Sequence, residues 1–69
     1  MKVNVTSKRS KLSDLFDINI SDMEGNTIYD AVFAYPTNEP VHTERVSRAY
    51  VKMCDYEFAK RGWEVNEMR

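Results

Sequence analysis

One cysteine, Cys54, and one histidine, His42, are all that the 69 residues offer of the side chains that make disulfides and most structural metal sites. No intramolecular disulfide can form, and there is no ligand set for a structural zinc. Two glycines, Gly25 and Gly62, cannot build a glycine-rich phosphate-binding loop. No run comes near the roughly 20 apolar residues that span a bilayer, and "MKVNVTSKRS" lacks the apolar stretch of a signal peptide. A lone thiol fits a reducing compartment. The expectation is a cytoplasmic protein with no membrane association, no metal and no cofactor.

Positive charge is missing from a long stretch. Residues 13–40 carry Asp14, Asp17, Asp22, Glu24, Asp30 and Glu39 without one Lys or Arg. Residues 1–12 carry Lys2, Lys8, Arg9 and Lys11 without one acid, and residues 41–69 are mixed. The net charge of −1 therefore hides an acidic centre beside a basic start. Such asymmetry points to a partner of opposite field.

A chain of this length makes one domain, 1–69, and buries only about 60% of the surface its unfolded form exposes. The core, or the core plus a partner, must hold it. "LFDINIS" alternates strictly, with Phe16, Ile18 and Ile20 on one side and Asp17, Asn19 and Ser21 on the other, the pattern of a half-buried strand. "DMEGN" supplies turn chemistry, with Gly25 and Asn26 able to take positive φ, and "TIYDAVFAY" is rich in β-branched and aromatic residues. An antiparallel hairpin follows. Pro36 and Pro40 bracket a loop. Beyond it the pattern predicts one helix over 43–61, with Thr43 as N-cap, Lys60 and Arg61 in the last turn and Gly62 as a left-handed C-terminal stop.

On that helix Val46, Ala49, Tyr50, Met53, Cys54 and Tyr56 share one arc, with Val51 and Phe58 at its edge. Glu57 falls inside the arc and is explained if it pairs with Lys60 or Arg61 and lifts its head to solvent. After Gly62, Trp63 and Val65 alternate with Glu64 and Asn66, which predicts a strand returning beside the hairpin and a buried Trp63 closing the gap between helix and sheet. "KVNV" adds a short strand at an edge, and 7–12 reads as a basic loop or arm. The expected fold is α+β: a small antiparallel sheet of three or four strands with one helix on one face, in the order (β)ββαβ.

Catalytic chemistry finds little footing in these residues. Cys54 and His42 lie twelve positions apart on or near one helix, about 18 Å, too far for a Cys–His pair. Asp14, Asp17 and Glu39 read as solvated carboxylates. Phe33, Tyr35, Tyr50, Tyr56, Phe58 and Trp63 read as core, because a nucleic-acid stacking platform needs basic residues among exposed aromatics and the hairpin is wholly acidic. No enzyme activity is expected.

The order strand, turn, strand, loop, helix and then "RGWEVNEMR" resembles the small inhibitors of host RNA polymerase that some tailed phages encode. Gly62, Glu64 and Val65 are the identities, Trp63 stands where the family has another aromatic, Arg69 matches one family arginine and Glu67 replaces the other. The resemblance implies a small non-catalytic binding protein, phage or mobile-element encoded, that docks on and inhibits or modulates a bacterial host protein such as RNA polymerase or a defence complex, and the acidic hairpin calls for a basic surface on that partner. The residues assigned to that contact are Asp17, Asp22, Glu24, Asp30 and Arg69. The alternative is a nucleic-acid-binding accessory domain using Lys8, Arg9 and Lys11. A third reading is a subunit stable only as a homodimer.

Overall fold

The computed structural model describes residues 1–10, 14–36 and 40–69. Lys11 and Glu39 lie outside the described residues, as does part of the expected basic arm. Four strands and two helices follow in the order β1 (Lys2–Arg9), β2 (Leu15–Ser21), β3 (Thr27–Ala34), α1 (Thr43–Met53), α2 (Asp55–Arg61) and β4 (Glu64–Met68). The class is α+β. The strands form one sheet in the order β3-β2-β1-β4, with the helices on one face.

The hairpin forms where the alternation places it. β2 and β3 pair antiparallel from Leu15↔Ala34 to Ile20↔Tyr29, with an irregularity between Ile20 and Ser21 beside the turn. Gly25 takes φ 90° there, and among the described residues only glycines have a positive φ, so Asn26 does not share that role. Phe16, Ile18 and Ile20 are fully buried, as the period-2 pattern requires.

The final strand does not return beside the hairpin. β4 pairs parallel with β1, through Lys2↔Glu64 and Val3↔Val65, and the sheet is mixed instead of antiparallel. β1 is no short edge strand either. It runs eight residues through the interior of the sheet, antiparallel to β2 on its other side, and buries Val3 and Val5 completely. Two valines at alternate positions suit an edge or a central strand equally; burial against α1 decides for the centre. Ser7, Lys8 and Arg9, expected in the basic arm, are the last residues of β1.

The single expected helix is interrupted at Cys54, whose φ −104° and ψ 19° depart from helical values although its amide still reaches Tyr50 O at 2.9 Å. His42, not Thr43, occupies the N-cap and makes no side-chain cap bond. The predicted arc is not buried as a whole: Val46, Tyr50 and Phe58 are buried, but Met53 is 64% and Tyr56 75% exposed. Ser47 takes a core place that its polarity concealed. It is fully buried, and its Oγ donates to the Arg69 carbonyl at 2.6 Å. That same oxygen accepts the Ser7 amide at 2.9 Å, while the Arg69 amide donates to Val5 O at 2.8 Å, so α1, β1 and the end of β4 meet on the backbone of one residue. No helix of the described residues is long and apolar enough to cross a membrane.

Gly62 closes α2 at φ 70°, as its position predicts, with its amide on the Ala59 carbonyl at 3.1 Å and the Trp63 amide on Phe58 O at 2.9 Å. Trp63 is half-buried, not enclosed. It stands in a chain of ring contacts that begins at Tyr29: Tyr29 meets it at 6.3 Å, Phe58 meets it edge-on at 5.4 Å, Tyr50 meets Phe58 at 6.4 Å, Phe33 meets Tyr50 at 5.6 Å, and Tyr35 links Phe33 to Phe16. The Arg61 guanidinium lies 5.2 Å from the Trp63 ring and 5.4 Å from Tyr29, held at 3.0 Å by Glu57. The arginine covers the rim that tryptophan leaves open, and Glu57 makes one of the pairs expected of it.

Burial, aided by its neighbours Cys54 and Tyr29, pushes the Tyr50 hydroxyl up to about 12. The folded state therefore favours the protonated phenol. Its contribution is complete below the unfolded pKa of about 10 and is lost as pH rises toward 12. We expect alkaline unfolding in that window, with loss of far-ultraviolet circular dichroism accompanied by a tyrosinate absorbance step. Tyr50→Phe should move the transition to higher pH; an unchanged midpoint would remove Tyr50 as its cause.

Candidate protein-binding surface

The helices cover one face of the sheet and leave the other to solvent. The strand alternation that buries Phe16, Ile18 and Ile20 sends Asp17, Asn19 and Ser21 to this open face, and the pairing extends it into rows. Lys8, Asp17 and Val32 form one row, Thr6, Asn19 and Asp30 the next, and Asn4, Ser21 and Thr27 a third. Short polar side chains cross-link it: Asn19 Nδ2 donates to Thr27 Oγ1 at 2.8 Å and Asn66 Nδ2 to Asn4 Oδ1 at 3.1 Å. The aromatic residues of β2 and β3 face the helices. The open face has no stacking platform among the described residues, and five of the six rings assigned to packing contact other rings; Tyr56 is the exception.

Asp17 and Asp30 sit diagonally on neighbouring strands, close enough to share a hydrogen bond. That bond raises the Asp17 pKa, with the Asp30 charge adding to the effect and Lys8 across the strand opposing it. Once that proton is lost, two like charges stand side by side on a solvent face. Val32, 68% exposed, and Leu15, 43% exposed, lie beside them. Together with Lys8, Arg9, Ser10, Phe16 and Asp17 they line a shallow groove of about 350 Å³ at one end of the sheet.

The other expected contact residues have different placements. Asp22 holds the hairpin turn: its Oδ1 accepts from the Glu24 and Asn26 amides at 2.9 Å each, and its Oδ2 from Asn26 Nδ2 at 3.1 Å. The Asn26 amide leads the set of donors that hold this carboxyl below its ordinary pKa. Glu24 is exposed in the same turn, at the tip of the hairpin. Arg69 cannot meet Asp30, because the end of β4 lies three strand spacings, about 14 Å, from β3. It pairs with Glu67 at 2.8 Å instead. Asp17, Asp30 and the turn acids are brought together along the hairpin; Arg69 is not brought to them.

The basic candidates are matched by acids. Lys8 stands opposite Asp17, and Arg9 reaches Asp14 at 3.5 Å. Lys11 lies outside the described residues. Among the described residues no group of three or more His, Cys, Asp or Glu side chains could hold a metal. What only the strand pairing shows is that Val32 lies directly across from Asp17, so that an exposed valine stands beside the acids on the open side.

The geometry separates two carboxylates that the sequence treats alike. Asp30→Asn removes a like-charge neighbour and should raise the melting temperature at neutral pH, with the gain fading in acid as the carboxyls protonate. Asp22→Ala should lower it at neutral pH, because a depressed pKa contributes stability above the unfolded value and loses it as pH falls. Thermal melts followed by circular dichroism at pH 7 and pH 3 check both; equal effects of the two changes would contradict the assigned roles. Comparison with protein-family models, with curated proteins and with solved structures finds no match to this chain.

Proposed function

We propose that the chain is a small non-catalytic binding protein that docks on a basic surface of another protein through the acidic side of its open sheet face. The observation that carries this reading is the juxtaposition of Asp17 and Asp30 on an uncovered surface. Their mutual repulsion costs the free protein stability, and a cation of a partner would relieve it. Flanking Val32 and Leu15 supply the apolar contact that a purely solvated face does not need. The residues engaged are Asp17, Asp30 and Glu24, with Asp22 fixing the turn that presents them. The resemblance of "RGWEVNEMR" to phage inhibitors of host RNA polymerase makes a bacterial polymerase the first partner to test, with a defence complex second. A nucleic-acid role for Lys8 and Arg9 is disfavoured by the acids facing both.

Affinity capture from bacterial lysate with mass spectrometry nominates the partner, and surface plasmon resonance then tests the surface. Asp17→Lys and Asp30→Lys should each slow association, together by about tenfold at low salt, with the difference shrinking as salt is added. Arg69→Glu, at the far side of the sheet, should change the kinetics less. Unchanged association for the double reversal, with folding verified by circular dichroism, would remove the acidic face from the mechanism.

A further inference from the structure

The two edges of the sheet are built differently. β4 is five residues long, carries Glu64 and Glu67, and meets β1 with a register shift between Val3 and Asn4. Charge, brevity and irregularity are the devices that keep an edge from pairing with another chain. β3 has eight residues without Pro, Gly or Lys, one charge, and a register irregularity confined to the turn end. From Tyr29 to Ala34 it is regular, and Tyr29 and Val32 are exposed.

The hydrogen-bond directions of β3 follow from two bonds beyond the strands' regular pairing. Ser10 N donates to Leu15 O at 2.9 Å, so odd-numbered residues of β2 direct their backbone groups to β1 and even-numbered ones to β3. Tyr35 N donates to Asp14 O at 3.1 Å, in agreement. On β3 this leaves Tyr29, Ala31 and Phe33 bonding to β2, while the amides and carbonyls of Asp30, Val32 and Ala34 point outward. No described residue pairs with them. The outward backbone groups thus belong to the residues whose side chains lie on the acidic face.

We infer that the β3 edge accepts an extended segment of a partner protein as a fifth, antiparallel strand, and that this segment alternates basic with apolar residues. Directly opposed residues of an antiparallel pair project to the same face. Segment residues opposite Asp30 and Val32 therefore lie on the acidic side. A lysine or arginine there lays its aliphatic stem along Val32 and Leu15 and brings its cation to Asp17 and Asp30. The intervening residues lie on the helix side beside Tyr29, Ala31 and Phe33, where apolar side chains extend the core. Main-chain bonds supply affinity and the alternating side chains supply selectivity, as in other strand additions. Charge selects this occupant over a second copy of the chain, since self-pairing would bring a second Asp17 and Asp30 to the same edge. The inference rests on the protein-binding reading and specifies its mode.

The test uses the whole chain and a synthetic peptide of sequence Thr-Lys-Val-Lys-Val-Lys-Val-Thr, followed by amide resonances in solution. Binding should shift Asp30, Val32 and Ala34 and slow their hydrogen exchange. Replacing the lysines by glutamate should abolish it, and Asp30→Lys should weaken it about two- to fivefold. Methylating the peptide amides that face β3 should also abolish it. Val32→Pro removes an outward donor without touching a bond to β2, a substitution edge strands tolerate. It should prevent binding while the rest of the spectrum is retained; if it disturbs the fold, the methylated peptide tests the same bonds. Failure of the lysine peptide to bind at millimolar concentration overturns the inference. Equal binding of plain and methylated peptides also overturns it, yet leaves the acidic face as a docking surface. Sedimentation showing a dimer that Val32→Pro dissociates would assign the edge to self-pairing and overturn the assigned occupant.

Discussion

The structure depends on β1 being paired along both of its edges. β2 runs antiparallel on one side, β4 runs parallel on the other, and α1 packs beneath Val3 and Val5. An antiparallel hairpin alone is marginal in water. Here β1 converts the hairpin into part of a four-stranded sheet with one face to bury, and it ties the last strand to the first. The Arg69 backbone reinforces this joint. Its carbonyl takes donors from Ser7 and Ser47 while its amide reaches Val5, which satisfies polar groups at the place where strand and helix converge.

Placing β1 in the centre also determines what the molecule can present. The helices cover one face only, so the side chains of β1 and β2 that alternate away from the core form a continuous open surface. Because β3 lies at the outer edge of β2, the acids of the hairpin gather at one margin of that surface. The cations of the mixed C-terminal third lie elsewhere, and Arg69 at the opposite margin is occupied by Glu67. A chain of almost neutral net charge thus carries a local field, which is the quantity a partner experiences within a Debye length of about 10 Å.

The same arrangement divides the acidic residues by role. Asp22 is held by three donors of its own turn and stabilises the hairpin. Asp17 and Asp30 repel each other and do not. A neutral residue at either position would remove that repulsion, as would the cation of a partner under the proposed docking. The exposed Val32 and Leu15 beside them, 68% and 43% accessible, give the same margin an apolar component.

Local pattern determined much of this protein. The alternation of Phe16, Ile18 and Ile20, the Gly25 turn, the Gly62 stop and the pairing of Glu57 with Arg61 are each legible within a few residues, because period, handedness and i,i+4 spacing are local properties. The clustering of acids along the hairpin is legible for the same reason. The tertiary structure alone decided that β1 is central and that β4 runs parallel to it, because backbone ladder bonds are the same for every sequence and the choice of partner strand is made by non-local burial. It decided the interruption at Cys54, with Tyr50 and Phe58 buried on either side of it and Met53 and Tyr56 in solvent. It also decided that Ser47 is buried and Arg69 is remote from Asp30. A serine declares itself a core residue only when a carbonyl from another strand arrives to accept its proton, and the distance between two charges is set by strand order, which no spacing along the chain contains.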